Sequence, residues 1–576
     1  MSKYTVREKI PENISKELSA YPEFIRNLLF YRGIDSATTA EKYLNPHFEN
    51  DTHDPFLMKD MDKAVARILK AIENKEKIII YSDYDADGVP GAVILSDFFK
   101  KIGVTNFEVY IPHRHLEGFG LNKEAIDLFK EKKATLLITI DCGIADVEEV
   151  AHAQSLGIDV VVTDHHLPIS LGLGSAPVVP PAYAVLDAKQ EGCEYPYKML
   201  CGSGVIFKLV QAILQKNRFG LKVGAEKWWL DMVGIATCAD MVPLQGENRV
   251  FAYYGLKVLR KSPRLGLMKL LRKMNVSQTN ITEDDIGFMI APRINAASRM
   301  GVPMDAFNLL STNDETEAGI FTDHLHSINE ERKGIVAGIV KELHKRIADR
   351  LDYETHPVLV IGDPRWKPSL LGLAANTLME KYKRPVFLWG REDGAEIKGS
   401  CRSDGSVDLV EMMQEIPVGI FTHFGGHAMS GGFSVAHEHI YHLEEYLHAA
   451  YLKKKKEKSS EQIFIDEKLS LDDVTWQNFQ NLEKMMPFGL DNAKPIFLFE
   501  NVVVENIRQF GKKTDHLELV FRNMAGDKIV AIGFFTKPDD FVNVLAVGKN
   551  MDLVASLEKS VYGGRTELRL RIVDVV

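Results

Sequence analysis

Apolar positions along this chain change period several times, and each change marks a unit. Up to about residue 75 they recur every three or four residues, as at Phe24, Ile25, Leu28 and Leu29 and again at Ala64, Ile68 and Ile72, so the segment reads as helical. Arg32-Gly33 and Asp54-Pro55 punctuate it. From Lys77 onward unbroken apolar runs appear instead: KIIIY at 77–81, FEVYIP at 107–112, TLLITI at 135–140 and IDVVVT at 158–163. Runs of that length suit strands buried on both faces, and their alternation with helix-length stretches predicts βαβ units on a mostly parallel sheet.

From Thr316 to Arg350 the pattern is helical without a break, with Phe321, Leu325, Ile328, Ile335, Ile339, Leu343 and Ile347 on one face. At about 1.5 Å per residue this helix spans roughly 50 Å, the length of a rigid spacer between two lobes; a coiled-coil dimer is the alternative. A second α/β unit opens with HPVLVIG and continues through RPVFLWG to about residue 452. The lysines at 453–456, with Glu457, Lys458, Ser459 and Ser460, read as a solvated helix end and linker. Beyond 461 apolar and polar residues alternate in HLELVFR, KIVAIGFF, MDLVASLE and RTELRLRIV, the signature of short strands in a small closed barrel of OB-fold type. The fold class is therefore α/β with an appended β-barrel. Its parts are an N-terminal helical segment at 1–75, a mostly parallel α/β domain at 76–312, a connecting helix at 313–352, a second α/β domain at 353–456 and the barrel at 461–576.

Chemistry collects where the strands end. The first run stops at Ser82 and is followed by Asp83, Asp85 and Asp87 at alternating positions; in extended chain they point one way and crowd one spot, which a cation would relieve. Gly88 and Pro90 then open a helix. The third run ends at Asp141 and the fourth at Asp164-His165-His166. Singly, each of these is as well explained by a helix cap or a surface pair; jointly they deliver metal-type ligands to one edge of a sheet. Asp240 ends the apolar stretch from Met232 to Ala239, where an unpaired carboxylate would be costly.

Composition narrows the use. Net charge is −10 and pI about 6.0, which argues against coating nucleic acid through bulk positive potential but leaves room for a local basic groove. The five cysteines show no pair at zinc-site spacing, so reduced thiols are expected. No run of apolar residues approaches membrane-spanning length and the N-terminus lacks a secretory pattern, so the expected address is cytoplasmic, without membrane.

The ordered set SDYDADG from Ser82, TIDCG from Thr139, TDHH from Thr163 and CADMVPLQGENR from Cys238 resembles the four motifs of the DHH phosphoesterase family. IPHRHLEGFGL from Ile111, APRINAASRMG from Ala291, KGSCRS from Lys398 and FGGHAMSGGF from Phe424 extend the likeness over most of the chain. Within the family the pattern is similar to its single-strand-specific exonucleases. The resemblance implies a DHH domain, a DHHA1-type second domain and a nucleic-acid-binding OB-fold. It also implies an enzyme that degrades single-stranded DNA from the 5′ end to 5′-mononucleotides in repair and recombination, with two Mn²⁺ or Mg²⁺ ions. Carboxylates with one imidazole suit those ions, which stabilise attacking and leaving oxygens together.

On that reading Asp141 bridges the ions, Asp87, His165 and Asp240 complete one site, and Asp85 holds the other, with Asp83 the open ligand. His166 donates to the substrate phosphate, and Asp164 orients a histidine. Arg114, Arg293, Arg299, Ser400, Arg402, Gly426 and His427 are the substrate-binding candidates. In the barrel Lys512, Lys513, Arg565, Arg569 and Arg571 with Phe510 and Tyr562 would track a single strand. A monomer is expected, assisted by a single-strand-binding protein or a helicase. Departures from the family pattern at Pro90-Gly91, His113, Asp187-Ala188, Ser298, Ser369, Asn376 and Asp491 touch no proposed ligand. Rival readings are a DHH phosphodiesterase or oligoribonuclease acting on short nucleotides, and a non-catalytic replication scaffold.

Overall fold

The computed structural model describes residues 4–170, 177–349, 356–391, 396–456, 463–511, 513–541, 543–562 and 565–576. Lys512 and the linker at 457–460 fall outside these residues, as do the side chains of Tyr562 and Arg565. The apolar runs form a five-stranded parallel sheet: β1 (Ile78–Ser82), β2 (Phe107–Tyr110), β3 (Leu136–Ile140), β4 (Asp159–Thr163) and β5 (Ala184–Leu186), in the order 2-1-3-4-5. Every residue of β1 and β3 is buried, because helices cover both faces. The order reverses between β1 and β3, and a crevice opens there at the carboxyl ends of the strands. Ser82 pairs with Ile140, so Asp83 and Asp141 leave the sheet level with each other.

One sequence expectation changes here. The chain does not stay extended through Asp83, Asp85 and Asp87. It turns after Asp83, and Asp85 Oδ1 accepts the amides of Asp87 (2.8 Å) and Gly88 (3.1 Å) to start the helix Gly88–Lys101. Gly88 is required: a Cβ there would lie 2.4 Å from the Asp83 carbonyl oxygen. Gly91 of the Pro90-Gly91 exit is required as well, since a Cβ there would meet Ile140 Cγ2 at 2.6 Å and Ser203 Oγ at 3.1 Å. The helix packs that closely on the strand end.

The connecting helix runs Glu315–Asp349, 35 residues in all. Leu325 and Ile328 join the core of the first domain, and Ile339 and Leu343 that of the second. Its apolar stripe is thus used within the chain, which replaces the coiled-coil alternative. The second domain carries a five-stranded sheet in which Leu359–Gly362 pairs parallel with Val386–Arg391. Ile397–Arg402, Ser430–Val435 and Phe421–His427 follow antiparallel.

The C-terminal strands form one seven-stranded sheet. Two residues, Val504 and Glu505, link the strand Phe497–Val503 near one edge to Asn506–Phe510 at the opposite edge, so the sheet has to curl round on itself. The segment 1–75 is divided between two cores. Leu18, Ile25, Leu28, Leu29 and Leu44 pack with the barrel, and Tyr4–Val6 pairs with Ile463–Ile465, whereas helix Met61–Glu73 packs in the first domain. Helical periodicity predicts the elements but cannot say which apolar face they meet. Arg249 fastens the junction: its guanidinium donates to the carbonyls of Tyr43, Lys484, Met485 and Met486.

Candidate metal and phosphate site

The sheet ladder continues past its last strand residues into the ligands. Asp83 N–H donates to the Ile140 carbonyl (3.0 Å), Asp141 N–H to Thr163 (3.0 Å) and Asp164 N–H to Leu186 (3.1 Å). Three aspartates from separate motifs are thereby held in one row at the strand ends. Asp141 adopts φ +61°, a left-handed turn that aspartate tolerates better than most residues and that swings the chain away at the crevice. Asp87 is fixed from the opposite side by the helix Gly202–Lys216, whose first amides, Gly202 (2.6 Å) and Ser203 (2.7 Å), donate to its two carboxylate oxygens. Ser203 Oγ–H donates to the Asp87 carbonyl at 2.5 Å. Asp240 closes the helix Leu230–Ala239, and Asn295 Oδ1 accepts the Ala86 amide at 2.9 Å.

These elements converge. His165 Nε2 lies 3.1 Å from Asp141 Oδ1, 3.6 Å from Asp240 Oδ2 and 3.8 Å from Asp87 Oδ2. Asp83, Asp85 and Asp141 form an adjoining group whose donor atoms lie within 4.8 Å of one another. Several of these atoms face one another without a well-formed hydrogen bond: His165 Nε2, Asp141 Oδ1 and Asp83 Oδ1 are buried in this state. A buried polar atom left this way costs about 1–3 kcal/mol, and donors of this kind gathered at one strand edge suit something positive.

The electrostatics agree. Burial, then neighbouring carboxylates, push Asp141 and Asp83 well above the usual aspartate range; Asp87 rises to about 6 and Asp240 to about 8 for the same reasons. Burial and the adjacent His166 press His165 down to about 3, leaving it a neutral ligand. His166 goes the other way despite burial: Asp164 Oδ1, 2.8 Å from its Nδ1, raises it to about 9, so it is cationic at neutral pH. Burial acts to raise Asp164 too, but its bond to His166 wins and holds it low. Lys189 donates to the His165 carbonyl and anchors the pair.

On the substrate side the structure brings together Arg114, Arg299, Ser400 and Arg402. The Arg114 guanidinium lies 5.0 Å from the Tyr84 ring centre, next to Asp83. Arg299 Nη1 donates to the Ser369 carbonyl (2.9 Å) in the first turn of helix Pro368–Tyr382, so it joins the two domains. On the same helix, a Cβ on Gly372 would sit 2.8 Å from Arg402 Nη2 and 3.6 Å from Ser400 Oγ. Burial, then Arg114, Arg332 and Arg402, lower Arg299 to about 10, a sign of cations gathered without enough anions.

Arg402 and His427 pair with the same residue, Ser430, in neighbouring strands, and Gly426 at φ +140° lets the hairpin close, its absent Cβ leaving room for the Ser430 carbonyl. Arg293 lies beside the cluster, within reach of the Arg332 charge. It donates to the Met289 carbonyl (2.7 Å) and faces His326 and Glu330. Sequence reasoning missed Arg332, which is one charge among many on the connecting helix, and Ser203, for which the small residues of GSG at 202–204 were the available signal.

In the barrel, Phe510, His516, Phe534 and Phe535 form an aromatic cluster, with Arg571 4.0 Å and Arg569 5.6 Å from the Phe534 ring centre. Phe510, Phe534, Arg569 and Arg571 line a cleft of about 1670 Å³ whose other wall includes Tyr253 and Phe288 of the first domain.

A parallel sheet with carboxylates and histidine at its switch point, facing an arginine pocket, is suited to holding divalent cations beside a phosphate. The family model of the DHH N-terminal domain matches residues 77–237, that of the DHHA1 domain 355–452 and that of the RecJ OB domain 465–574. The single-stranded-DNA-specific exonuclease RecJ of Bacillus subtilis is 33% identical over 569 residues, covering 98% of this chain and 69% of the relative. Its namesake from Haemophilus influenzae is 28% identical over 590 residues, covering 100% and 99%. The crystal structure of RecJ in complex with Mn²⁺ from Thermus thermophilus superposes with a TM-score of 0.80 at 25% identity over 100% of this chain and 79% of that one. An exonuclease RecJ bound to manganese matches with a TM-score of 0.59 at 29% identity, covering 69% and 95%. The chain belongs to the RecJ family of single-stranded-DNA-specific exonucleases.

Proposed function

We propose that this chain is a divalent-metal-dependent exonuclease that hydrolyses the 5′-terminal phosphodiester of single-stranded DNA, releasing 5′-mononucleotides. The observation that carries the reading is the set of buried carboxylate and imidazole donors that Asp83, Asp141 and His165 bring together beside the arginine pocket. Asp87, His165 and Asp240 would hold one ion and Asp83 and Asp85 the other, with Asp141 shared, an assignment supported by three overlapping ligand groups at the site, one of which joins Asp141 and His165 to His166. When bound, Mn²⁺ or Mg²⁺ supplies a nucleophile competent at neutral pH and neutralises charge on the leaving oxygen.

The remaining work falls to the chain itself. His166, kept protonated by Asp164, donates to a nonbridging phosphate oxygen. Arg114, Arg299 and Arg402 hold phosphates, and because Arg299 is tied to Ser369 the two domains grip the strand end jointly. The aromatic and arginine cluster of the barrel stacks bases farther along, supported by its place on a cleft shared with the first domain. Ser400, Gly426 and His427 shape the far wall through the hairpin register.

The chain acts as a monomer, since the connecting helix spends its apolar face internally. No described helix is long and apolar enough to cross a membrane, and we place the enzyme in the cytoplasm. Requiring a strand already unpaired, it works after a helicase or with a single-strand-binding protein. The test is one preparation assayed with Mn²⁺ on 5′-phosphorylated single strands, duplex, dinucleotides and pyrophosphate, with Asp141→Ala in parallel. Single-strand hydrolysis lost in Asp141→Ala is expected. Preference for dinucleotides would move the chain to a short-substrate phosphodiesterase, and inactivity on all four to a scaffold.

A further inference from the structure

Away from the carboxylate centre, the described residues hold one more group with metal-type donors, His356, Glu444 and His448, whose ligand atoms lie within 4.8 Å of one another. All three belong to the second domain. His356 leads into the strand Leu359–Gly362, and Glu444 and His448, four residues apart, share one face of the helix Leu443–Lys454. His356 Nδ1 is 2.9 Å from Glu444 Oε1, and the two imidazoles meet edge to face with centres 4.7 Å apart.

The His448 ring is already oriented. Its Nε2 lies 3.0 Å from the Val358 carbonyl, which can only accept, so Nε2 carries the proton and Nδ1 the lone pair. A carbonyl bound to the far nitrogen is the arrangement that fixes the tautomer of a metal-bound histidine and raises its basicity. The His356 and Glu444 side chains remain 22% and 25% exposed, enough for an ion to enter and for water to complete its shell.

We propose that His356, Glu444 and His448 form a second cation site that takes a borderline divalent ion of the zinc class. Two imidazoles and a carboxylate favour Zn²⁺ over the hard Mg²⁺ and Mn²⁺ that suit a carboxylate-rich centre. Zinc bonds of about 2.0–2.1 Å draw the three donors inward by side-chain rotation. For the ion to bind at His356 Nδ1 the ring exchanges tautomer with solvent, its proton moving from Nδ1 to Nε2, so the ligand stays a neutral imidazole and nothing changes oxidation state. The bound ion clasps the last helix of the second domain to its edge strand, where the chain enters from the connecting helix.

The test is metal content after equilibrium dialysis of the full chain against micromolar Zn²⁺, comparing wild type with His356→Ala and with His448→Gln, which keeps a donor for the Val358 carbonyl. Each variant is expected to bind one ion fewer per chain than wild type, to lose the Zn²⁺-induced rise in Tm, and to keep Mn²⁺-dependent exonuclease activity within about twofold. That retained activity also shows the variants are folded. An equal zinc count in wild type and His448→Gln overturns the site and leaves the trio an ordinary ion pair.

Discussion

Gly202 offers a stringent test of the site's geometry, because the residue that fixes Asp87 also abuts Asp141. A Cβ on Gly202 would lie 2.6 Å from Asp141 Cβ and 2.7 Å from its Oδ1. Ordinary carbon contact is about 3.5 Å, so Gly202→Ala must displace Asp141, or the helix amides that hold Asp87, by about 0.9 Å. Misplacement on that scale costs about 100-fold in rate, close to 2.7 kcal/mol of transition-state stabilisation. Gly204, two residues on, is the control. Its Cβ would meet Leu200 Cβ at 3.5 Å and Cys201 Sγ at 3.6 Å, ordinary contact, and alanine is the better helix former by about 1 kcal/mol. Degradation of a 5′-labelled single strand across a Mn²⁺ titration, with Tm measured alongside, separates the two. Gly202→Ala should lose activity and require more Mn²⁺, whereas Gly204→Ala should match wild type in activity. Gly202→Ala within threefold of wild type, or Gly204→Ala equally impaired, would refute the reasoning.

Asp141→Asn removes the most crowded carboxylate of the cluster. Hydrolysis should stop while the metal-free protein gains stability. An acid whose pKa is raised by folding stabilises the fold fully only below about pH 4 and less as pH climbs, so the Tm difference between variant and metal-free wild type should widen from pH 4 to 8; a constant difference contradicts the shift. Cation affinity should itself fall as pH drops below about 8, where Asp240 takes up a proton, and more steeply below about 6, where Asp87 follows. Calorimetric Mn²⁺ titration at pH 6 and 8 reads this directly, and equal affinities would contradict it. Arg299→Ala should raise KM at least tenfold, as expected from the about 1.5–3 kcal/mol of a charge-assisted phosphate bond. Arg293→Gln, whose guanidinium is spent on Met289, His326 and Glu330, should leave KM within twofold.

Much of this molecule is readable from residue order. Runs such as IIIY and LLITI, alternating with helix-length stretches, point to strands buried on both faces, and the joint occurrence of Asp83, Asp141 and the Asp-His-His triplet at their ends points to one edge of the sheet. The unbroken stripe from Phe321 to Ile347 likewise fixes a long helix, because period alone determines which side chains share its face. The three carboxylates after β1 mark the limit of such reasoning. Their alternation suggested extended chain, but Asp85 captures the amides of residues 87 and 88 and turns it.

Tertiary structure decided whatever depends on contact between distant segments. That Asp87 is gripped by helix amides 115 and 116 residues away cannot be seen locally. Nor can the gathering of Arg114, Arg299, Arg332 and Arg402 from four separate elements, since an arginine reads the same in sequence whether it faces phosphate or a salt bridge. The N-terminal helices show the same limit on a larger scale: their apolar faces are written in the sequence, but the surface that buries them, a barrel more than four hundred residues away, is set by packing. Local periodicity specifies elements because it depends on neighbours in the chain, whereas site composition depends on neighbours in space.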